Sequence, residues 1–528
     1  MKHPMTDDPE RGEPPGFSRR TLITTGAVAG VLGVGAGVGG GALLPGHRAG
    51  PDVWYQPART GAPPIGGLHL QFGRNASTEV VVSWHTVEAV SNPRVMLGTP
   101  TAGFGSTVAA TTRTYRDAKS NSEVRVYHAR LTGLTPDTQY VYAAVHDGTD
   151  PQPATITTAP LGRKALRFTS FGDQSTPMLD RSVDGRFISD HIGSPAAGDI
   201  PAAIERLEPL FNLVNGDLCY ANLAEDRIRT WSNWFTNNSR SARYRPWMPA
   251  AGNHENELGN GPIGYGAYQT YFEVPDSGAS PQLRGLWYSF TAGAVRVISI
   301  NNDDVALQDA GNSYIHGYSG GEQRRWLERE LANARRDPDI DWLIICMHQT
   351  AISTAKKNGA DLGIREQWLP LFDQYHVDLV LCGHEHHYER SHPLRGSLGS
   401  DTRTPIPVDT RRDVIDTTRG TVHLVIGGGG TSVPTNGLLF PEPRCQVITG
   451  VGAYDPAVRH KPSIYVMEDA PWSAFRDRDN PYGFVSFDVD PGSPGGKTSI
   501  KATYYAVRGP YGAVVPIDEF TLIKPRGG

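Results

Sequence analysis

The chain has 528 residues, a formal net charge of −5, 38% hydrophobic and 20% charged residues. Its 60 glycines and 41 prolines stay below the density of a low-complexity or collagen-like chain, and four cysteines are too few for a disulfide framework. Disorder, coiled coil and a broadly basic nucleic-acid platform are excluded; an enzyme-sized protein of two or three domains remains.

In chain order, residues 1–50 read as a leader. Ser18-Arg19-Arg20-Thr21-Leu22-Ile23 precedes a glycine-rich, weakly apolar stretch from Thr24 to Leu44, similar to a twin-arginine export signal. That reading places the protein outside the cytoplasm, secreted or associated with the cell envelope. The stretch is long enough to span a bilayer, about 20 residues. No clear Ala-x-Ala site follows it, so cleavage near Ala49 and retention as an N-terminal membrane anchor both stand. Residues 51–65 are Pro/Gly-rich and polar, a linker.

Residues 66–160 show short alternating strands, such as 79–84 and 123–128. The run from Leu131 through Gly133 and Pro136 to Tyr140 resembles the tyrosine corner of a fibronectin III-like β-sandwich. After Pro160 the pattern changes. Apolar strands are predicted at 166–171, 210–215, 295–300, 342–347, 378–382 and 422–426, with further strands at 482–489 and 499–506. A helix is predicted over 320–336, opened by a Ser319/Glu322 capping box and stopped by Pro338, and another over 365–375. Strands apolar throughout and separated by helices predict an α/β domain over 161–528, with ligand-bearing loops at the C-terminal strand ends.

Five short motifs fall at such ends or at glycine turns: Phe171-Gly172-Asp173, Asn215-Gly216-Asp217-Leu218-Cys219-Tyr220, Ala251-Gly252-Asn253-His254-Glu255, Cys346-Met347-His348 and Cys382-Gly383-His384-Glu385-His386-His387-Tyr388-Glu389-Arg390. Singly each is weak. Together they form an oxygen- and imidazole-rich donor set that suits two hard or borderline cations such as Fe, Mn or Zn. Two ions about 3.5–4 Å apart suit in-line phosphoryl displacement.

In this order the motifs resemble the purple acid phosphatases, a family of binuclear metallophosphoesterases, from about Leu166 to the C-terminus. The export signal suggests an actinobacterial-type member. The resemblance implies a four-layer α/β/β/α catalytic domain behind the sandwich and a phosphomonoesterase acting on small-molecule phosphate esters. It implies Asp173, Tyr220 and His386 as terminal ligands of an iron(III), Asp217 as the bridge, and Asn253, His348 and His384 around Fe(II), Zn(II) or Mn(II). His254 is implied to bind phosphate and protonate the leaving alkoxide, with a loop-holding role as its alternative. Glu255, Glu389 and Arg390 read as residues that orient ligands by hydrogen bonds, and His387 as a neighbour facing the other way.

One departure is plain. Plant-type members carry further histidines after the strand-end histidine, whereas here none follows His348 until His376. Lys356 and Lys357 offer a phosphate-attracting charge in that loop, with solvated lysines as the plainer reading. Gly427–Gly430 lacks the Lys-Ser/Thr of a P-loop and reads as a flexible turn near the site. Phosphodiesterase activity on the same site, and a cell-surface binding protein with little catalysis, are the competing functions. The oligomeric state is not legible.

Overall fold

The computed structural model describes residues 61–176, 181–183, 186–188, 192–309, 315–457, 460–509 and 513–527. The leader and residues 51–60 of the linker lie outside them. Among the described residues no helix is long and apolar enough to cross a membrane.

Two four-stranded antiparallel sheets come first. One runs in the order Gly66–Phe72, Val80–Thr86, Glu123–Leu131, Thr111–Arg116; the other Gly103–Ala109, Arg94–Thr99, Gln139–Val145, Gln152–Thr157. Trp84 stacks on Tyr127, ring centroids 5.6 Å apart, inside the core. The Tyr140 hydroxyl accepts the Thr135 N–H at 2.8 Å, the bond of a tyrosine corner.

The strand Val80–Thr86 is buried along its whole length, so the sandwich has no free outer face there. Three histidines lie in that seam. His69 stacks on Phe235, and the His128 ring meets the Thr270 carbonyl at 3.0 Å. His85 packs edge-on to Tyr271. Burial holds all three neutral, pushing His69 down to about 4 and His85 and His128 to about 3.

Two seven-stranded sheets follow. The first has the order Trp247–Pro249, Phe211–Val214, Leu166–Phe171, Gly483–Asp490, Lys497–Val507, Val514–Pro525, Val414–Asp416. The second runs Tyr288–Ala292, Val295–Ser299, Trp342–Cys346, Leu379–Cys382, Val422–Ile426, Tyr388–Ser391, Ser473–Arg476. The strands Trp247–Pro249, Phe211–Val214 and Leu166–Phe171 of the first sheet are parallel, as are those from Val295–Ser299 to Val422–Ile426 in the second. These are largely buried on both faces, which is why they are near-continuous apolar runs. Gly483–Asp490, Lys497–Val507 and Val514–Pro525 continue the first sheet antiparallel.

The sheets meet face to face. Tyr388 stacks on Tyr504 at 3.9 Å, Trp342 donates its indole N–H to Thr498, and the Cys346 thiol reaches Asn215. Helices Ala196–Glu205 and Arg227–Ala242 cover the first sheet's side. Helix Glu322–Arg336 covers the second, bonding Ser289 and Arg296 through Glu330. Helix, sheet, sheet, helix is the four-layer order.

Two local expectations are corrected. The helix at Glu322 is capped by Gly321, with φ +81°, and not by Ser319. The helix begins at Glu322, so Ser319 lies two residues before the cap. Its hydroxyl accepts the Gly321 and Gln323 N–H groups, but its own backbone N–H goes to Asp304, and the Glu322 carboxylate accepts from Ser280 and so does not close the box. The single helix predicted over 365–375 is two, Leu362–Gln367 and Leu369–Gln374, broken at Trp368 because Pro370 has no N–H to continue the ladder.

Candidate metal centre

The C-terminal edges of the parallel strands carry the motif residues. Asp173 follows Leu166–Phe171, Asp217 and Tyr220 follow Phe211–Val214, and Asn253 follows Trp247–Pro249. His348 follows Trp342–Cys346, and His384 and His386 follow Leu379–Cys382. Asp173, Asp217, Tyr220 and His384 all have positive φ, between 50° and 69°. Such strain persists where the surroundings over-determine it, typically at functional sites. Close approach explains Gly383: a Cβ there would lie 2.4 Å from Asp173 Oδ2.

The donors gather in two groups. Tyr220 Oη lies 3.3 Å from Asp173 Oδ1 and 3.3 Å from His386 Nε2. On the other side, His348 Nε2 is 3.0 Å from Asp217 Oδ2, 3.0 Å from Asn253 Oδ1 and 3.3 Å from His384 Nδ1. The donor atoms of Asp217, His348 and His384 all lie within 4.8 Å of one another.

The outer ring nitrogens identify the inward ones. His348 Nδ1 faces the Asn215 carbonyl at 2.7 Å, His386 Nδ1 the Val433 carbonyl at 2.7 Å, and His384 Nε2 the Gln308 side-chain oxygen at 2.9 Å. Each oxygen accepts the N–H of its ring, so Nε2, Nε2 and Nδ1 respectively face the cluster. Three imidazoles, two carboxylates, an amide oxygen and a phenol converging in buried space fit a pair of cations.

Charge is shared tightly here. Burial works against a charged His348, but the Asp217 carboxylate raises it to about 10, and a cation binding there has to displace that proton. Burial, then the Asp173 and Asp217 carboxylates, pushes the Tyr220 phenol well above its ordinary value, so its ionisation requires a cation. The Glu255 carboxylate accepts the N–H groups of Asp217, Leu218 and Gly252 at 2.8–2.9 Å, tying two donor loops together.

His254 sits at the rim, its side chain 24% exposed. Its backbone N–H donates to Asp217 Oδ1, its ring packs against Tyr220 at 4.4 Å, and Nδ1 faces Asn222 Oδ1 at 2.9 Å. With that proton on Nδ1, Nε2 is left toward the cluster, 3.9 Å from Asp217 Oδ2.

Glu389 and Arg390 hydrogen-bond none of the seven donor residues, contrary to the expectation that they orient ligands. Glu389 accepts from Thr354 and from His387 Nε2, while Arg390 forms a bidentate pair with Asp518 and lies over Phe520. Both sit on Tyr388–Ser391, a strand running back from the edge where the donors lie. His387 is buried against Thr435 and Glu389. Lys356 lies over the Phe440 ring, and Lys357 is exposed.

The Gly427–Gly430 run is no flexible turn. It is buried throughout, and a Cβ on Gly427 or Gly429 would lie 2.2 Å from the Glu385 or Gly172 carbonyl oxygen. Sequence reasoning also missed Asn215, Asn222 and Gln308. The first two lie beside the Gly-Asp-x-x-Tyr motif, where a signal existed; Gln308 carries none.

A β-sandwich joined to a two-sheet α/β domain with this donor edge defines a metallophosphoesterase. The family model "Purple acid Phosphatase, N-terminal domain" matches residues 65–158, and "Calcineurin-like phosphoesterase" matches residues 187–388. An uncharacterized protein of Mycobacterium tuberculosis is 77% identical over 529 residues, covering 100% of this chain and 99% of its own length. The purple acid phosphatase of Glycine max is 28% identical over 405 residues, 74% of this chain and 78% of that protein. The solved purple acid phosphatase PPD1 of yellow lupin shares the fold with a TM-score of 0.61 at 21% identity, over 88% of this chain and 75% of that one.

The chain belongs to the purple acid phosphatase-like metallophosphoesterases. It is a binuclear metal-dependent phosphoester hydrolase.

Proposed function

We propose that this protein is an exported phosphatase that cleaves monoesters of small-molecule phosphates. The observation that carries the reading is the division of seven donors into two groups, Asp173, Tyr220 and His386 in one and Asp217, Asn253, His348 and His384 in the other. Asp173, Tyr220 and His386 would hold iron(III), and Asn253, His348 and His384 would hold Fe(II), Zn(II) or Mn(II), with Asp217 shared. When bound, such a pair supplies Lewis-acid activation of the ester and of the attacking water.

The chain's own residues supply the rest. Glu255 holds the Asp217 and Gly252 loops in register. Asn222 keeps the His254 proton on Nδ1 and so turns Nε2 to the reacting group. His254 receives a second proton at Nε2 and delivers it to the departing alkoxide, work suited to an imidazole.

Purified protein is expected to carry two metal ions and a visible tyrosinate band, and to hydrolyse p-nitrophenyl phosphate faster than bis-p-nitrophenyl phosphate. Metal analysis, an absorption spectrum and the two assays check this. A diester preference would overturn the monoesterase assignment.

The paired arginines support export, with residues 1–50 as leader, 51–65 as linker, 66–160 as sandwich and 161–528 as catalytic domain. Replacing Arg19 and Arg20 by lysine is expected to leave the protein inside the cell, read by fractionation. Unchanged export would remove the twin-arginine assignment.

A further inference from the structure

We propose that Gln308 is a positioning residue for the metal centre. It selects the ring nitrogen that His384 presents to the second cation, and the assignment rests on the two-metal reading above.

His384 is held from both sides by a closed ring of side-chain amides. Its Nε2 lies 2.9 Å from Gln308 Oε1. Gln308 Nε2 donates to Asn358 Oδ1 at 3.3 Å, and Asn358 Nδ2 returns to the His384 carbonyl at 3.3 Å. The arrangement fixes the amide orientations: Gln308 can donate to Asn358 only with its oxygen toward His384. That oxygen accepts and never donates, so the His384 proton resides on Nε2 and the Nδ1 lone pair faces inward, 3.3 Å from His348 Nε2.

The other two histidines of the cluster are anchored by backbone carbonyls, of Asn215 and Val433. A backbone carbonyl survives any substitution. Among the three, His384 alone depends on a side chain for its tautomer, and it also has φ +69°, a conformation that needs support from its neighbours.

Gln308 is not needed to hold its own loop. The backbone N–H groups of Leu307 and Gln308 both donate to Asp361 Oδ2, at 2.8 and 3.0 Å. The Gln308 side chain is part-exposed, so shortening or replacing it opens no buried cavity. Loss of the amide therefore acts on His384 and spares the fold.

The test uses the full chain stripped by a chelator and titrated with zinc alone against a chromogenic competitor. The wild type is expected to bind two ions. Gln308→Leu is expected to weaken one of the two by about 10–100-fold, leaving the other ion and the thermal midpoint unchanged. Gln308→Glu, whose carboxylate accepts the same N–H, is expected to restore the lost affinity. Two tight ions in Gln308→Leu, or no rescue by Gln308→Glu, would overturn the assignment while leaving the two-metal reading intact. A wild-type chain that binds fewer than two ions would overturn both.

Discussion

Asp217→Asn is expected to abolish phosphoester hydrolysis, with kcat falling about a thousandfold or more. Asp217 is the carboxylate that would bridge the two donor groups: it lies 3.0 Å from His348 Nε2, accepts the His254 backbone N–H, and its charge also acts on the Tyr220 phenol of the other group. With a cation pair held as proposed, removing the negative charge between them would forfeit several kcal/mol of charge stabilisation, and about 1.4 kcal/mol is a factor of ten in rate. Asn keeps the shape and an oxygen for the His254 N–H, so the fold should stand. Hydrolysis of a chromogenic phosphoester, with metal content measured on the same sample, checks the outcome. Full activity in the variant would remove Asp217 from the bridging role.

Gly427→Ala is expected to damage both stability and catalysis. The added Cβ would lie 2.2 Å from the Glu385 carbonyl oxygen and 2.8 Å from Asp173 Oδ2. The first obstacle is backbone, so something larger than a rotamer must move, at a cost of about 1–3 kcal/mol. What moves is the loop bearing His384 and His386 and the Asp173 side chain. A displacement of about 1 Å in a catalytic constellation costs on the order of a hundredfold in rate. Gly437→Ala, where a Cβ meets nothing within 4 Å, serves as the control and should change neither thermal midpoint nor kcat. Equal behaviour of the two variants would show that the Gly427 crowding relaxes freely.

The strands 166–171 and 422–426 are legible to the residue, because a strand buried on both faces must be apolar throughout and glycine or polar residues bound it. The donor residues are legible for a different reason. Each sits one to six residues beyond a strand or a glycine turn, so chemistry and local geometry share one short segment. Helix beginnings were less legible: the Ser319/Glu322 pattern is present in the chain, but Asp304 and Ser280, both distant in sequence, take up its two side chains. Arg390 fails the same way, since Asp518, 128 positions on, outcompetes the nearby donors for its guanidinium. Gln308 and His384 lie 76 positions apart, and no pattern links them.

Order, spacing and residue type by themselves determined the α/β class, the sandwich before it and which residues gather at the donor edge, because these follow from local periodicity and from which side chains have the chemistry. The tertiary structure alone decided which nitrogen each histidine turns inward, that Glu255 ties two donor loops while Glu389 and Arg390 serve elsewhere, and that the four-glycine run is a crowded seam. Those outcomes depend on which distant backbone or side chain arrives within about 3 Å, the range over which a hydrogen bond chooses between alternatives that are equal in sequence.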